Sequence, residues 1–338
     1  MDPDLWDLYR QMLCSRLFEA AVMRLWQEGK ISGEMHLGMG EEAIAAGVVA
    51  HLQNGDALAL DHRGTPPLLM RGVDPVLLLR EFLGRADGLC AGMGGHMHLF
   101  SPPHLAASSG IVGAAGPAAA GFALAAQLLR PGTVAVAFFG EGAMNQGMLP
   151  EALNLAVVWQ LPALFVCKDN SLAVTTPAPW VIGGNLVERA KGFGMRALEV
   201  DGGDAEAVWH AAHELIDQAR NGGGPGFLHA HCVHLEGHFL GDALLRMTRE
   251  PLKETRQRAG PLLRALTVRK GTRLGERVES MRTIANISQL ARKQTGRQGD
   301  PIERLRQKLT ADVDRVEQLE EQVEQETQQH VEAALRPA

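Results

Sequence analysis

Apolar positions recur at helical spacing over residues 4–28: Leu5, Leu8, Met12, Leu13, Leu17, Ala20, Ala21 and Leu25. The spacing predicts a helix, and Gly29 supplies its stop. Residues 41–52 predict a second, alanine-rich helix. The stretch 84–117 breaks the rhythm, with eight glycines from Gly84 to Gly116 and histidines at 96, 98 and 104. Such a stretch predicts a loop whose backbone approaches something closely.

From Pro117 the pattern becomes regular. Residues 117–130 predict a helix with proline in its first turn, where a missing N–H costs nothing. Thr133–Phe139 is an apolar run of strand formers. The turn Gly140–Gly147 leads into a helix around 149–160, with Leu149, Ala152, Leu153, Ala156 and Trp159 on one face. Pro162–Cys167 predicts a buried strand. Residues 197–201 predict a strand, 204–220 a helix and 226–233 a strand. Strand–helix–strand alternation predicts an α/β protein, its parallel sheet covered by helices on both faces.

The last third changes character. Residues 246–308 hold 17 Lys/Arg against 6 Asp/Glu, a local net of +11. Residues 311–338 hold 8 Asp/Glu against 2 Arg, a local net of −6. Val313, Val316, Val323 and Val331 give that tail one apolar stripe, so it predicts a single amphipathic helix. The two blocks are complementary to each other or to a partner subunit. The domain expectation is an α/β domain over 1–245 with N-terminal helices, a basic insert over 246–299, and a helical tail over 300–338.

Charge and composition remove several function classes. The net charge of −6 and the lack of aromatic residues interleaved with the basic stretch argue against nucleic acid. No window reaches the roughly 18 uninterrupted apolar residues of a membrane helix. The acidic start (Asp2, Asp4, Asp7) is unlike a signal peptide, so the expected location is the cytoplasm. Cys14, Cys90, Cys167 and Cys232 lack metal-ligand spacing and read as reduced thiols. No cysteine or carboxylate completes a metal set with His96, His98 and His104, which read as part of an active-site loop.

The chemistry concentrates in the Gly-rich turns. Gly140–Gly147 follows an apolar strand and opens a helix, and ligands of open parallel sheets collect at such strand ends. Glycines there let backbone N–H groups face a phosphate. The turn carries Glu141, and the next strand ends in Lys168-Asp169-Asn170. A carboxylate and an amide oxygen on adjacent strand ends suit Mg²⁺ bridging to a diphosphate. Neither a P-loop nor a dinucleotide fingerprint is present.

These residues resemble the thiamine diphosphate motif, G-D-G, a spacer, then N-N. Here it stands as Gly140-Glu141-Gly142, a spacer from Ala143 to Lys168, then Asp169-Asn170. The resemblance extends through EGKISGEMHLGMGEEAIAAGV (28–48), DHRG (61–64), GMGGHMH (92–98), GIVGAAGP (110–117), VAVAFFGEGAMNQG (134–147), EALNLAVVWQLPALFVCKDN (151–170), EGHFLGD (236–242) and DPIERLRQ (300–307). It covers residues 5–242 and 300–335. The chain is similar to α subunits of the E1 components of thiamine-diphosphate-dependent 2-oxo acid dehydrogenases, and EGHFLGD to acetoin-dehydrogenase-like members in particular.

The resemblance implies the thiamine-diphosphate-binding fold, with an N-terminal helix and a C-terminal helical extension. It implies that Glu141, Asn170 and the Leu172 carbonyl ligate Mg²⁺. Gly142 and Ala143 would hold the diphosphate through their backbone, and Arg63 would pair with it. Gly110 and Val112 would face the aminopyrimidine, and His238, beside the diphosphate of the bound cofactor, would transfer a proton at the reacting centre. His62 stands where a tyrosine often precedes the arginine, and the resemblance implies that it too contacts the cofactor. The implied reaction decarboxylates a small 2-oxo acid, or cleaves acetoin, and passes the acyl group to a lipoyl-bearing acyltransferase. A β subunit would complete the site, in an α2β2 heterotetramer, by supplying the glutamate that activates the pyrimidine.

Four departures keep other readings open. Glu141 replaces the motif's aspartate, Asp169 its first asparagine, and His96 a serine. Thr65-Pro66-Pro67 replaces the end of an H-R-G-H-G-H loop. The loop motivates a split transketolase-like enzyme of a biosynthetic pathway. Glu141 motivates a degenerate, non-catalytic regulatory subunit.

Overall fold

A computed structural model describes residues 2–242 and 299–337 throughout, and between them only scattered positions from 246 to 289. Helix α1 (Leu5–Gln27) starts where Asp4 accepts hydrogen bonds from the Trp6 and Asp7 N–H groups. This cap satisfies donors that the first helical turn leaves unpaired. Helix α2 (Glu42–Val49) is buried along its whole length. Strand β1 (Ala57–Leu60), α3 (Thr65–Met70) and α4 (Pro75–Phe82) follow, and then β2 (Phe100–Ser101) and β3 (Ala106–Ser108).

The regular part comes next: α5 (Ala115–Leu129), β4 (Ala135–Gly140), α6 (Met148–Val158) and β5 (Ala163–Asp169). A small hairpin, β6 (Leu172–Ala173) with β7 (Thr176–Pro177), precedes α7 (Ala178–Val181) and α8 (Leu186–Gly192). Strand β8 (Arg196–Asp201), α9 (Ala205–Arg220) and β9 (Gly226–His231) complete the sheet. Helices α10 (Pro301–Lys308) and α11 (Val313–Leu335) form the tail.

Seven strands make one sheet in the order β2-β3-β1-β4-β5-β9-β8. All its pairings are parallel except β2 with β3. Alternate side chains supply two cores. Leu58, Val136, Phe138, Val166 and Leu228 face one way, into a cluster shared with α1, α2 and α9. Ala59, Ala137, Phe139, Phe165 and Phe227 face the other, against α5, α6 and α8. Ala119, Ala120 and Ala123 keep the contact face of α5 small, so that helix lies close to the sheet. The sheet with helices on both faces is therefore the expected α/β architecture.

The predicted elements of 117–233 are present with small shifts in their ends. Strand β3 corrects the loop expected over 84–117. It is three residues long within a Gly-rich stretch, and its pairing with β1 rather than its sequence makes it a strand. β1, α3 and α4 had no counterpart in the pattern. The tail is the amphipathic helix expected, its stripe narrowed to buried Val316, Val323, Val331 and Ala334, with Val313 exposed. It lies along α1, where Tyr9 Oη donates to Glu320 at 2.5 Å and Arg10 pairs with Glu326 at 2.6 Å. Arg306 pairs with Glu320 at 2.8 Å, so part of the basic block does meet the acidic tail. Most of the 246–299 segment lies outside the described residues. Cys167 and Cys232 are buried free thiols. No helix among the described residues is long and apolar enough to cross a membrane.

Candidate active site

The chain leaves β1 for β3 on one side and returns to β4 on the other. Crevices open at such a reversal, beyond the carboxyl ends of the strands. A cleft lies there. Its walls are the segments after β1 (Asp61–Arg63), β3 (Gly110–Gly113), β4 (Glu141–Ala143) and β5 (Asn170, Leu172–Val174), with His234 and His238 from beyond β9. All the residues to which the resemblance gives a cofactor, metal or catalytic role line it: His62, Arg63, Gly110, Val112, Glu141, Gly142, Ala143, Asn170, Leu172 and His238.

Glu141 begins the turn after β4. It is 3% exposed, and its Oε1 is buried with no hydrogen-bond partner. Burial and the nearby charge of Asp169 push its carboxyl up to about 7, although the N–H groups of Glu141, Asn170 and Leu172 oppose the shift. A carboxylate left this way is costly unless a cation joins it. Asn170 is also buried, and its Nδ2 lies 2.9 Å from His234 Nδ1. Ser171, between Asn170 and Leu172, takes a positive φ of 60°, stabilised by its N–H donating to Asp169 Oδ1 at 2.6 Å. That bend puts residues 170 and 172 on the same cleft. At Gly142 a Cβ would lie 3.1 Å from the Ala173 Cβ, and at Gly110 3.1 Å from Met97 Sδ, so both glycines keep the cleft open.

Arg63 is 2% exposed. Its Nη1 donates to the Leu37 carbonyl at 2.5 Å and its Nη2 to the His238 carbonyl at 2.7 Å. Nη2 also lies 3.3 Å from His238 Nδ1. A guanidinium only donates, so Nδ1 accepts and the His238 proton sits on Nε2. Burial first, and then Arg63, push the His238 imidazole down to about 3. The same two causes lower His36 to about 3 and His96 to about 4, and drive His62 far below its usual range. The cleft thus has one fixed guanidinium surrounded by neutral imidazoles.

Five participants escaped the sequence reading. Lys168 Nζ lies 2.6 Å from Glu41 Oε2 and 3.0 Å from Asp61 Oδ2, and His234 Nε2 lies 2.8 Å from Glu41 Oε1. Burial raises Glu41, but Lys168, His234 and Arg63 outweigh it and hold the carboxyl down at about 2. Burial lowers Lys168, but Asp61 and Glu41 outweigh it, so the ammonium stays charged. A lysine directly after the apolar run ALFVC was the available signal, since a buried ammonium requires partners. The fifth is His36, which meets His96 of the loop already singled out. His36 Nδ1 lies 3.0 Å from His96 Nε2, which also accepts the His36 N–H at 3.2 Å. Of the three loop histidines, His96 reaches His36 on the cleft wall, whereas His104 turns away to Ser101 Oγ at 2.7 Å. His36, His62 and His238 each bring a ring nitrogen within 4.8 Å of the others.

Sequence comparison agrees with this placement. The family model described as "Dehydrogenase E1 component" matches residues 9–283. The α subunit of acetoin:2,6-dichlorophenolindophenol oxidoreductase from Bacillus subtilis (strain 168) is 41% identical over 248 residues, 73% of this chain and 74% of that one. Its counterpart from Cupriavidus necator is 42% identical over 70% of this chain and 72% of its own length. The pyruvate dehydrogenase E1 component subunit alpha of Zymomonas mobilis is 38% identical over 77% of this chain and 74% of its own. With that extent of match, the chain belongs to the dehydrogenase E1 component family and aligns with its α subunits.

Proposed function

We propose that this chain is the cofactor-binding α subunit of a thiamine-diphosphate-dependent dehydrogenase that acts on a small 2-oxo acid or acetoin together with a β subunit. Membership of the family implies the cofactor and the β partner. The observation that carries the reading is the buried, unpartnered Glu141 Oε1 at the end of β4, beside Asn170, in the cleft where the strand order reverses. The donor set fits a hard cation: a carboxylate, an amide oxygen and a backbone carbonyl are oxygen ligands.

Glu141, Asn170 and the Leu172 carbonyl would hold Mg²⁺, and Gly142 and Ala143 would meet the diphosphate with their backbone. Arg63 would add a charge already oriented by the Leu37 and His238 carbonyls, so little side-chain entropy remains to be lost on binding. Gly110 and Val112 would border the aminopyrimidine. When bound, thiamine diphosphate supplies the carbanion chemistry of carbonyl cleavage. His238 presents a neutral Nε2–H, suited to donating a hydrogen bond where negative charge develops. Its low pKa keeps a second positive charge away from Arg63.

The β subunit is supported by apolar surface at the mouth. Ile111 is 62% exposed, Val112 55% and Val174 45%, and all three line the cleft. Large exposed apolar side chains around a cleft mark a face that is covered in the assembly. The acyl acceptor would be a lipoyl group on an acyltransferase, and the assembly an α2β2 heterotetramer.

The test is calorimetric titration of thiamine diphosphate with Mg²⁺ into the chain co-expressed with its β partner. Metal-dependent binding that Glu141→Ala abolishes supports the reading. Absence of binding in the parent complex would overturn it in favour of a regulatory subunit.

A further inference from the structure

At the edge of the same sheet, four side chains converge that the proposed reaction does not use. Glu199 on β8 stands opposite His229 on β9, and Asp169 on β5 stands opposite His231. Strand alternation puts all four on one face at the carboxyl end of the sheet. None of them is among the residues lining the cleft.

His229 is the anchor, with its side chain 6% exposed. Its Nε2 lies 2.8 Å from Asp169 Oδ2. An ionised carboxylate only accepts, so Nε2 carries the proton and Nδ1 keeps a free lone pair. That Nδ1 is buried and has no hydrogen-bond partner. It lies 3.9 Å from Glu199 Oε1, and His231 Nε2 lies 2.7 Å from the same oxygen. The two imidazoles are tilted at 55° to each other, with their centroids 4.4 Å apart.

A carboxylate that fixes a histidine tautomer, and a second nitrogen aimed at further donors, is how proteins prepare an imidazole for a metal. We propose that His229 Nδ1, His231 Nε2 and Glu199 Oε1 form a binding site for a borderline divalent transition ion such as Zn²⁺. Asp169 orients His229 from behind, and water fills the fourth position. Tetrahedral Zn²⁺ with bonds of about 2.0–2.1 Å places its donors roughly 3.3 Å apart. The separations of 2.7 and 3.9 Å bracket that value. Glu199 and His231 are half exposed and free to rotate by the difference. Two imidazole donors favour this ion class over Mg²⁺, which prefers oxygen. The bound ion would tie edge strand β8 to β9.

The experiment is titration of ZnCl₂ into the full-length, EDTA-stripped chain in excess Mg²⁺, followed by calorimetry and by the visible absorption of Co²⁺ substituted for Zn²⁺. A site is expected in the parent and in His62→Ala, the latter breaking the histidine group of the cleft. His231→Ala and Glu199→Gln are expected to weaken it at least about 10-fold, and Asp169→Asn about 10–100-fold through the orientation of His229. All three substitutions leave the buried His229 in place. The proposal is overturned if binding survives intact in His231→Ala, or if His62→Ala alone abolishes it, which would assign the ion to the cleft.

Discussion

Lys168 Nζ lies 2.6 Å from Glu41 Oε2 beneath the cleft, with both side chains only 4% exposed and 127 positions apart in the chain. Asp61 closes on the same ammonium, and Arg63 Nε faces Glu41 at 3.9 Å. Two carboxylates and two cations therefore balance in the interior. They join the end of β1, the end of β5 and the start of α2, which are the supports of the cleft walls.

Removing one member should unbalance the group. Lys168→Met leaves Glu41 and Asp61 buried without their cation, and breaking a buried pair from one side costs about 3–5 kcal/mol. Urea unfolding at pH 7 should show that loss, with partial recovery in Lys168→Met combined with Glu41→Gln. A loss below about 1 kcal/mol would mean that water reaches the cluster.

Glu19 gives a pH dependence. It is fully buried; one oxygen accepts the Gly38 N–H at 2.8 Å and the other has no partner. Burial is the main cause that pushes its carboxyl up to about 8. A carboxyl whose pKa is higher in the folded than in the unfolded chain contributes fully below about 4.5, and that contribution is lost as pH rises to about 8. The loss is on the order of 5 kcal/mol from the size of the shift. Glu19→Gln should remove this slope, making the variant the more stable protein at pH 8 and nearly equal at pH 4.5. Parallel stability curves for the two proteins would refute the assignment.

His238 should separate binding from turnover. Its imidazole lines the cleft, whereas the proposed metal ligands and most of the proposed diphosphate contacts come from other residues. His238→Ala in the reconstituted complex should lower kcat about 100- to 1,000-fold, the usual worth of one positioned hydrogen-bond donor to developing negative charge. Thiamine diphosphate affinity should change far less. An equal loss in both would make His238 a positioning residue for the cofactor through the contact of its Nδ1 with Arg63.

What sequence could reveal follows the range of each interaction. The walls of the cleft were legible because each is local: a Gly-rich turn after a run of strand formers, and an Asp-Asn pair ending the next strand. β3 was not, because three residues in a Gly-rich stretch become a strand only when β1 lies alongside. Glu41, Asp61, Lys168 and His234 were missed for the same reason, since their pairing spans the chain. The Asp169–His229 contact also joins distant residues, and no single motif announces it.

Glu141 provides a discrimination by sign. Its Oε1 is buried without a partner, and its carboxyl, raised to about 7, is mostly ionised at pH 8. In the metal-free protein the charge is therefore a burden, and Glu141→Gln should raise stability at pH 8 by about 1–3 kcal/mol. With Mg²⁺ and thiamine diphosphate present the order should reverse. The parent should gain melting temperature through ligand linkage, and the variant should gain little or none. Glu141→Asp keeps the charge and should retain the gain, because the cation requires a carboxylate oxygen more than one particular side-chain length. A carboxylate serving only the fold would give a destabilised variant under both conditions, so thermal melts of the three proteins with and without the two ligands decide between a metal ligand and a structural acid.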